Sequence, residues 1–366
     1  MKKKILIVGP HNSEGGVSNY YNNILPCLKN NEKYDIDYLS IGNITTKINS
    51  LRLITAPMDQ LRYNYSLFNQ KYNLIHVNPS FDLRSFLRDG LFILAAKRNK
   101  IPVIAFFRAW EKNFEKSLEK NWKWFFNLTY KKVDAFIVLS DETRQKLNSW
   151  NISVPIFKET TTVNEEFLKG FNINEKVSNI NKDEKIRILF LSRIEKEKGI
   201  FEFLEGLKIF KNKLSKNKIT LTIAGNGTAL NSAKKYVKKE LSDIEVYFPG
   251  YITGSEKIKA LKENYIYCLP SYAEGMPNSL LEAITFGLCS VVTPVGGIKD
   301  FFENEKMGYL IKENNPKCIA ENLFNAIKDK ENLINIIKYN HEYGKNKFLS
   351  SNVASRLISI YEKFII

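Results

Sequence analysis

Short runs of β-branched and aliphatic residues alternate along almost the whole chain with longer stretches in which apolar residues recur every three or four positions. That alternation dictates buried strands joined by covering helices, the βαβ unit, and therefore mostly parallel sheets. In the first half, strands are expected at Ile5–Gly9, Asp35–Ser40, Leu74–Asn78, Pro102–Phe107 and Ala135–Ser140. Helices are expected over Val17–Lys29, Leu83–Lys97, Asn113–Lys131 and Asp141–Trp150. The pattern lapses within 160–185, a stretch rich in Asn, Glu and Lys. It restarts with strands at Ile186–Ser192, Thr220–Gly225, Glu245–Pro249, Ile266–Pro270 and Ser290–Val295. The chain reads as α/β, with two Rossmann-like, doubly wound domains over 1–165 and 166–347 that face a cleft. In such sheets ligands sit beyond the carboxyl ends of the strands, so the informative residues should follow strands.

Composition narrows the function. The 366 residues are 44% hydrophobic and 26% charged, which excludes a disordered or collagen-like chain. No apolar run approaches the roughly 18 residues that span a bilayer. Lys2-Lys3-Lys4 before Ile5–Val8 imitates a signal peptide, but Gly9-Pro10 ends the apolar stretch too early, and a first strand is expected. Cys27, Cys268, Cys289 and Cys318 are scattered, with no Cys-x-x-Cys pair, which argues for a reduced, cytoplasmic protein and against a zinc site. Lys and Arg number 55 against 39 Asp and Glu, a formal charge of +16. Such an excess suits nucleic acid, anionic lipid or phosphorylated substrates, and composition does not choose among them.

Three loops carry the chemistry. The first, Gly9 to Val17, holds His11 and the pair Gly15-Gly16 before a helix; backbone close to a ligand and a helix N-terminus suit an anion, and a structural turn is the other reading. It is neither Gly-x-Gly-x-x-Gly nor a Walker loop. The second, Ser192 to Gly199, places Arg193 and Lys198 where two cations can hold a diphosphate; a solvated charged turn is the alternative. The third runs from Pro270 to Ala283. Gly275 and Pro277 keep Glu274 in a loop, while Asn278 is expected to cap a helix that carries Glu282. The N–H groups of Asn278, Ser279 and Leu280 would point at a phosphate, Glu282 at ribose hydroxyls and Glu274 at a sugar.

Together these residues resemble the retaining GT-B glycosyltransferases of glycosyltransferase family 4 (glycosyl transferases group 1), over most of the second half and the first strand-loop-helix. Gly250-Tyr251-Ile252, Tyr265–Ser271 and Val295-Gly296-Gly297 stand where that family has its base-contacting turn, pre-motif strand and downstream glycines. The resemblance implies a donor site of Gly15, Gly16, Arg193, Lys198, Tyr251, Ile252, Glu274, Gly275, Met276, Pro277, Asn278, Ser279, Leu280 and Glu282. It implies catalysis by Glu274, Arg193 and Lys198, retention of anomeric configuration, no cofactor and no obligatory metal. The expected substrates are a nucleoside-diphosphate sugar, UDP ahead of GDP, and a glycan or polyprenyl-pyrophosphate-linked acceptor in surface polysaccharide synthesis. Where many members carry a His after the fourth strand, this chain has Arg108, which joins the expected catalytic residues as a fixed positive charge toward the sugar or diphosphate and cannot act as a base. A sugar-nucleotide epimerase is the alternative on the same architecture. A nucleic-acid-binding protein is the alternative of another class, and no RNA-binding or helix-turn-helix motif supports it.

Two expectations concern surfaces. Phe114, Leu118, Trp122 and Phe125 recur at helical spacing beside Lys112, Lys116, Lys120 and Lys123, as in an interfacial helix or an ordinary core helix. Trp122 and Trp124 should point about 200° apart on a continuous helix, leaving one to touch lipid or acceptor. A peripheral position on the inner membrane face follows from these residues, the charge and the family resemblance. Among the histidines, His76 is expected to pack inside a strand and His341 to lie on a surface helix. A helix over 348–366 is expected to pack back on the first domain.

Overall fold

The computed structural model of the protein describes residues 2–10, 16–42, 52–108, 110–183, 185–214 and 218–365. Both halves of the chain form parallel α/β sheets of six strands. One compact unit comprises Met1–Thr162 with Ser350–Ile366, the other Val163–Leu349.

The first unit runs β1 (Lys3–Pro10), α1 (Gly16–Lys29), β2 (Tyr34–Ile41), α2 (Arg52–Asn69), β3 (Leu74–Val77), α3 (Leu83–Arg98), β4 (Val103–Phe107), α4 (Lys112–Ser117), α5 (Lys123–Leu128), β5 (Ala135–Val138), α6 (Asp141–Ser149) and β6 (Ile156–Lys158). Its strand order is β2-β1-β3-β4-β5-β6. Ile5 to Val8 are all buried, as a strand covered on both faces requires. Side chains alternate across the sheet: Leu6, Val8, Ile75, Val77, Val103, Ala105, Phe107, Phe136 and Val138 join one core. The same core takes in Tyr63 of α2, Phe86, Phe92 and Ile93 of α3, and Phe125 and Phe126 of α5. These three helices therefore cover one face of the sheet.

The second unit runs α7 (Ile173–Lys182), β7 (Lys185–Leu191), α8 (Ile200–Asn212), β8 (Lys218–Ala224), α9 (Leu230–Glu240), β9 (Glu245–Gly250), α10 (Gly254–Glu263), β10 (Ile266–Leu269), α11 (Asn278–Thr285), β11 (Cys289–Val292), β12 (Gly308–Leu310), α12 (Pro316–Ile327) and α13 (Lys330–Phe348). The strand order is β12-β11-β10-β7-β8-β9. Strands β6 and β12 were not expected; at three residues each, on sheet edges, they are too short to show a period.

The chain then returns to the first unit as α14 (Ser350–Tyr361). Arg356 forks onto Glu159, with Nε at 3.0 Å from Oε1 and Nη2 at 2.9 Å from Oε2. Tyr361 shares a 2.7 Å hydrogen bond with His76 Nδ1, and Tyr21 lies 3.3 Å from Nε2. His76 is fully buried, and burial together with the nearby Arg108 charge lowers its pKa to about 3. The folded value lies below the unfolded one near 6.5, so this group costs nothing above about pH 6.5 and destabilises as pH falls toward 3. The slope is at most about 1.4 kcal/mol per pH unit. Denaturant unfolding between pH 7 and 4 should fall less steeply for His76→Gln than for the wild type; parallel curves would refute this.

The helix expected over Asn113–Lys131 is instead broken. A π turn at Leu118–Trp122 separates α4 from α5, and Trp122, with φ −123° and ψ 9°, leaves helical geometry. That break rotates the next turn, so Trp122 and Trp124 stack at 6.3 Å and 30° instead of diverging. Leu118 and Phe125 are buried and Phe114 and Trp122 pack on the core, so the apolar stripe faces inward. Trp124, 60% exposed, faces out.

Candidate active site

In the second unit, β7 has β10 on one side and β8 on the other, so the strand order reverses between β7 and β10. At such a switch point the loops after the two strands diverge and leave a crevice at their carboxyl ends. Arg193 and Lys198 follow β7, and Glu274 to Ser279 follow β10.

The β7 loop is fixed by its neighbours. Ser192 N–H donates to Ala224 O at 3.2 Å and Ile194 N–H to Asn226 O at 2.9 Å. Glu195 accepts from Thr228 N–H at 2.9 Å. The loop after β8, with Gly225 and Gly227, thus scaffolds the cation loop; a Cβ on Gly227 would lie 2.3 Å from Ile194 O. Tyr272 N–H donates to Glu197 O at 2.9 Å and Ser271 Oγ to the same oxygen at 3.2 Å, lacing the β10 loop to the β7 loop. Gly199 has φ +70°, and a Cβ there would lie 2.0 Å from Pro270 O, so only glycine allows this approach.

This lacing brings Lys198 Nζ to 2.7 Å from Glu274 Oε1, with side-chain exposures of only 11% and 10%. Gly297 N–H holds the other flank by donating to Gly275 O at 2.7 Å. Arg193 differs from Lys198: it is 70% exposed, and its contact with Glu197 is long, at 3.8 Å. Such a pair contributes little to stability, and the guanidinium is available to a ligand.

Glu282 is buried on α11 and paired with Lys257 Nζ at 2.6 Å. Lys257, on α10 and 4.9 Å from the centre of the Phe167 ring, was not singled out from the sequence. It is a third cation beside the crevice. Asn278 is not the N-cap of α11: Pro277 occupies that place, with no side-chain acceptor to offer. Leu280 N–H turns back to Pro277 O at 3.1 Å and is not directed outward. Met276, Pro277 and Ile252 are buried, whereas Tyr251 is exposed beside Gly250, which has φ +79°. Ser279 Oγ and Tyr267 OH lie 2.8 Å apart, fixing the first turn.

The far end of α11 corrects another expectation. His341 is buried, its Nδ1 2.7 Å from Thr285 O, because α13 packs directly on α11. The absent side chain of Gly344 permits this: a Cβ would meet Thr285 Cα at 2.5 Å. Lys176 Nζ donates to Phe286 O at 3.0 Å and Leu261 O at 2.8 Å, and burial lowers its pKa. Donors thus cap the carboxyl ends of α10 and α11. A cavity of about 610 Å³ lies at the amino ends of β7 and β10, lined by Lys176, Asp183, Arg187 and Tyr265, and holds none of the expected site residues.

In the first unit, Gly16 opens α1, while His11 and Gly15 lie outside the described residues. Arg108 follows β4 and is buried, its guanidinium 3.5 Å from the centre of the Tyr20 ring. Burial lowers its pKa, and its Nε and Nη1 have no hydrogen-bond partner among the described residues.

Residues 171–343 match the sequence model of the glycosyl transferases group 1 family. The chain is 25% identical to an uncharacterized glycosyltransferase of Methanocaldococcus jannaschii, covering 94% of this chain and 96% of the relative. It is 24% identical to the UDP-Gal:alpha-D-GlcNAc-diphosphoundecaprenol alpha-1,3-galactosyltransferase of Escherichia coli, covering 92% and 90%. Its fold is similar to that of Anabaena HepE, solved in complex with UDP and glucose, with a TM-score of 0.71 over 98% of this chain and 99% of that one at 12% identity. The two parallel-sheet α/β domains are those of the GT-B fold, and the relatives are glycosyltransferases.

Proposed function

We propose that the protein is a retaining glycosyltransferase. It moves a hexose or N-acetylhexosamine from a nucleoside-diphosphate sugar, UDP ahead of GDP, to a glycan or polyprenyl-pyrophosphate-linked acceptor, at the cytoplasmic side of a membrane and without an obligatory metal. The observation that carries this reading is the Lys198–Glu274 pair, held at the β7/β10 switch point beside the start of α11. The Escherichia coli relative supports it with a UDP-sugar donor, a diphosphoundecaprenol acceptor and an alpha linkage in its name.

In this reading Arg193 and Lys198 take the diphosphate, with the Ser279 end of α11 adding its dipole. Glu282 receives the ribose hydroxyls, Tyr251 and Ile252 border the base, and Glu274 orients the sugar. The bond between the anomeric carbon and the diphosphate oxygen breaks with its electron pair on the oxygen. The acceptor hydroxyl oxygen bonds to that carbon on the same face, and its proton passes to the departing phosphate. Cations placed where this charge develops contribute about 3–4 kcal/mol each. Arg108 supplies a fixed charge in the first unit but no proton acceptor.

Thermal unfolding with UDP-, GDP-, ADP- and TDP-sugars tests the donor. A true donor at 100 times its Kd stabilises by about 2.7 kcal/mol, and UDP-sugars should give the largest shift. Chelator should leave the shift intact, and incubation with acceptor should give an alpha-linked product. No shift with any sugar nucleotide would overturn the reading, and sugar conversion without acceptor would replace it by epimerisation.

A further inference from the structure

Among the described residues, eight of the twelve large apolar side chains that stand exposed belong to α2, α3 and α5, the layer covering one face of the first sheet. On α2 they are Met58, Leu61, Tyr65 and Phe68, with exposures from 49% to 89%. Spacings of three, four and three residues place them within about 80° of arc. The opposite side of α2 is inside, with Tyr63 and Asp59 buried. On α3 the exposed line is Arg84, Leu91 and Arg98, each seven residues from the next. On α5 it is Trp124 and Leu128, next to Lys123.

The charges on this layer are one-sided. Arg62, Arg84, Arg98, Lys120 and Lys123 are exposed. Of the acids on α2 and α3, Asp59 and Asp89 are both buried; Asp59 lies 3.8 Å from both Arg62 and Arg88, Asp89 pairs with Arg88, and the exposed Asp82 before α3 is engaged as its N-cap. Glu115 and Glu119 are engaged by Lys146. Residues 1–162 and 350–366 hold 26 Lys and Arg against 15 Asp and Glu, +11 of the chain's +16. An apolar ridge fringed by an excess of exposed cations is complementary to a bilayer with anionic headgroups. A second copy docked face to face would set these cations against their own kind, which disfavours a symmetric dimer.

We infer that the outer surface of α2, α3 and α5 is a docking face for anionic lipid bilayers, with Leu61, Tyr65 and Phe68 entering the interface and Trp124 at its edge. The inference rests on this layer and not on the reaction proposed above. Vesicle binding involves no turnover, so either can fail without the other.

Co-sedimentation with phosphatidylcholine vesicles, with and without phosphatidylglycerol, tests it. Wild type should bind the phosphatidylglycerol vesicles, release as salt rises, and shift its tryptophan emission to the blue; Trp124→Phe should remove most of that shift. Leu61→Ser with Phe68→Ser should weaken binding about tenfold or more while leaving the thermal shift by UDP-sugar unchanged. Arg84→Glu with Arg98→Glu should abolish the preference for phosphatidylglycerol. Wild type that binds neither vesicle overturns the inference, as does a serine double variant that binds like wild type. A wild-type dimer that the serine pair makes monomeric would likewise overturn it, assigning the face to a second copy.

Discussion

Changing Glu274 to Gln lowers the rate of sugar transfer by about 10²–10³-fold and leaves affinity for the free nucleoside diphosphate unchanged or higher. The opposite signs follow from the ion pair. Without ligand, Lys198 is held by Glu274 at 2.7 Å in a poorly solvated position. An arriving diphosphate must share that cation with the carboxylate. The amide keeps the shape of the side chain but releases the ammonium, so UDP alone loses nothing. The sugar loses the acceptor that orients it, and the cost appears in turnover. Lys198→Met should do the reverse to UDP, raising its Kd by about tenfold or more. Calorimetric titration with UDP, set beside initial rates, separates the two. A Glu274→Gln enzyme that loses UDP affinity and transfer together would mean that the carboxylate merely holds the loop.

Replacing Gly296 by Ala should remove most activity without touching any side chain in the site. Gly296 has φ +53°, and a Cβ there would lie 1.9 Å from Glu274 O and 2.8 Å from Gly275 O. No rotamer relieves a backbone clash, so the β10 loop must retreat by an ångström or more. A displacement of that size at a reacting centre costs about 10²-fold in rate. The left-handed conformation adds about 1–2 kcal/mol of strain for a residue with a side chain. The variant should therefore unfold at lower temperature and bind UDP-sugar weakly. A Gly296→Ala protein with wild-type kinetics would show that the loop adapts freely and that Glu274 is not set by its neighbours.

What was legible in the sequence is what local pattern determines. Apolar runs such as Ile5–Val8 and Ile266–Leu269 announce buried parallel strands, and glycines and Pro277 announce that Glu274 leaves the helix. Partners set by long-range packing were not legible. Lys257 meets Glu282 across 25 positions of sequence because β10 runs between α10 and α11, and nothing within either segment specifies that. His341 looked superficial because its neighbours are polar; the small Gly344 buries it by letting α13 close on Thr285. The π turn at Leu118–Trp122 is equally silent, since one added residue shifts every later side chain by about a quarter of a turn.

The return of α14 to the first unit has a consequence for how the chain is made. Residues 1–162 leave the ribosome first, yet the partners of His76 and Glu159 are Tyr361 and Arg356. The first unit must wait, with His76 held from Tyr21 alone and Glu159 without its guanidinium, until 187 intervening residues of the second unit have emerged. The second unit can therefore complete its fold before the one that precedes it, inverting the usual order in which domains mature during synthesis.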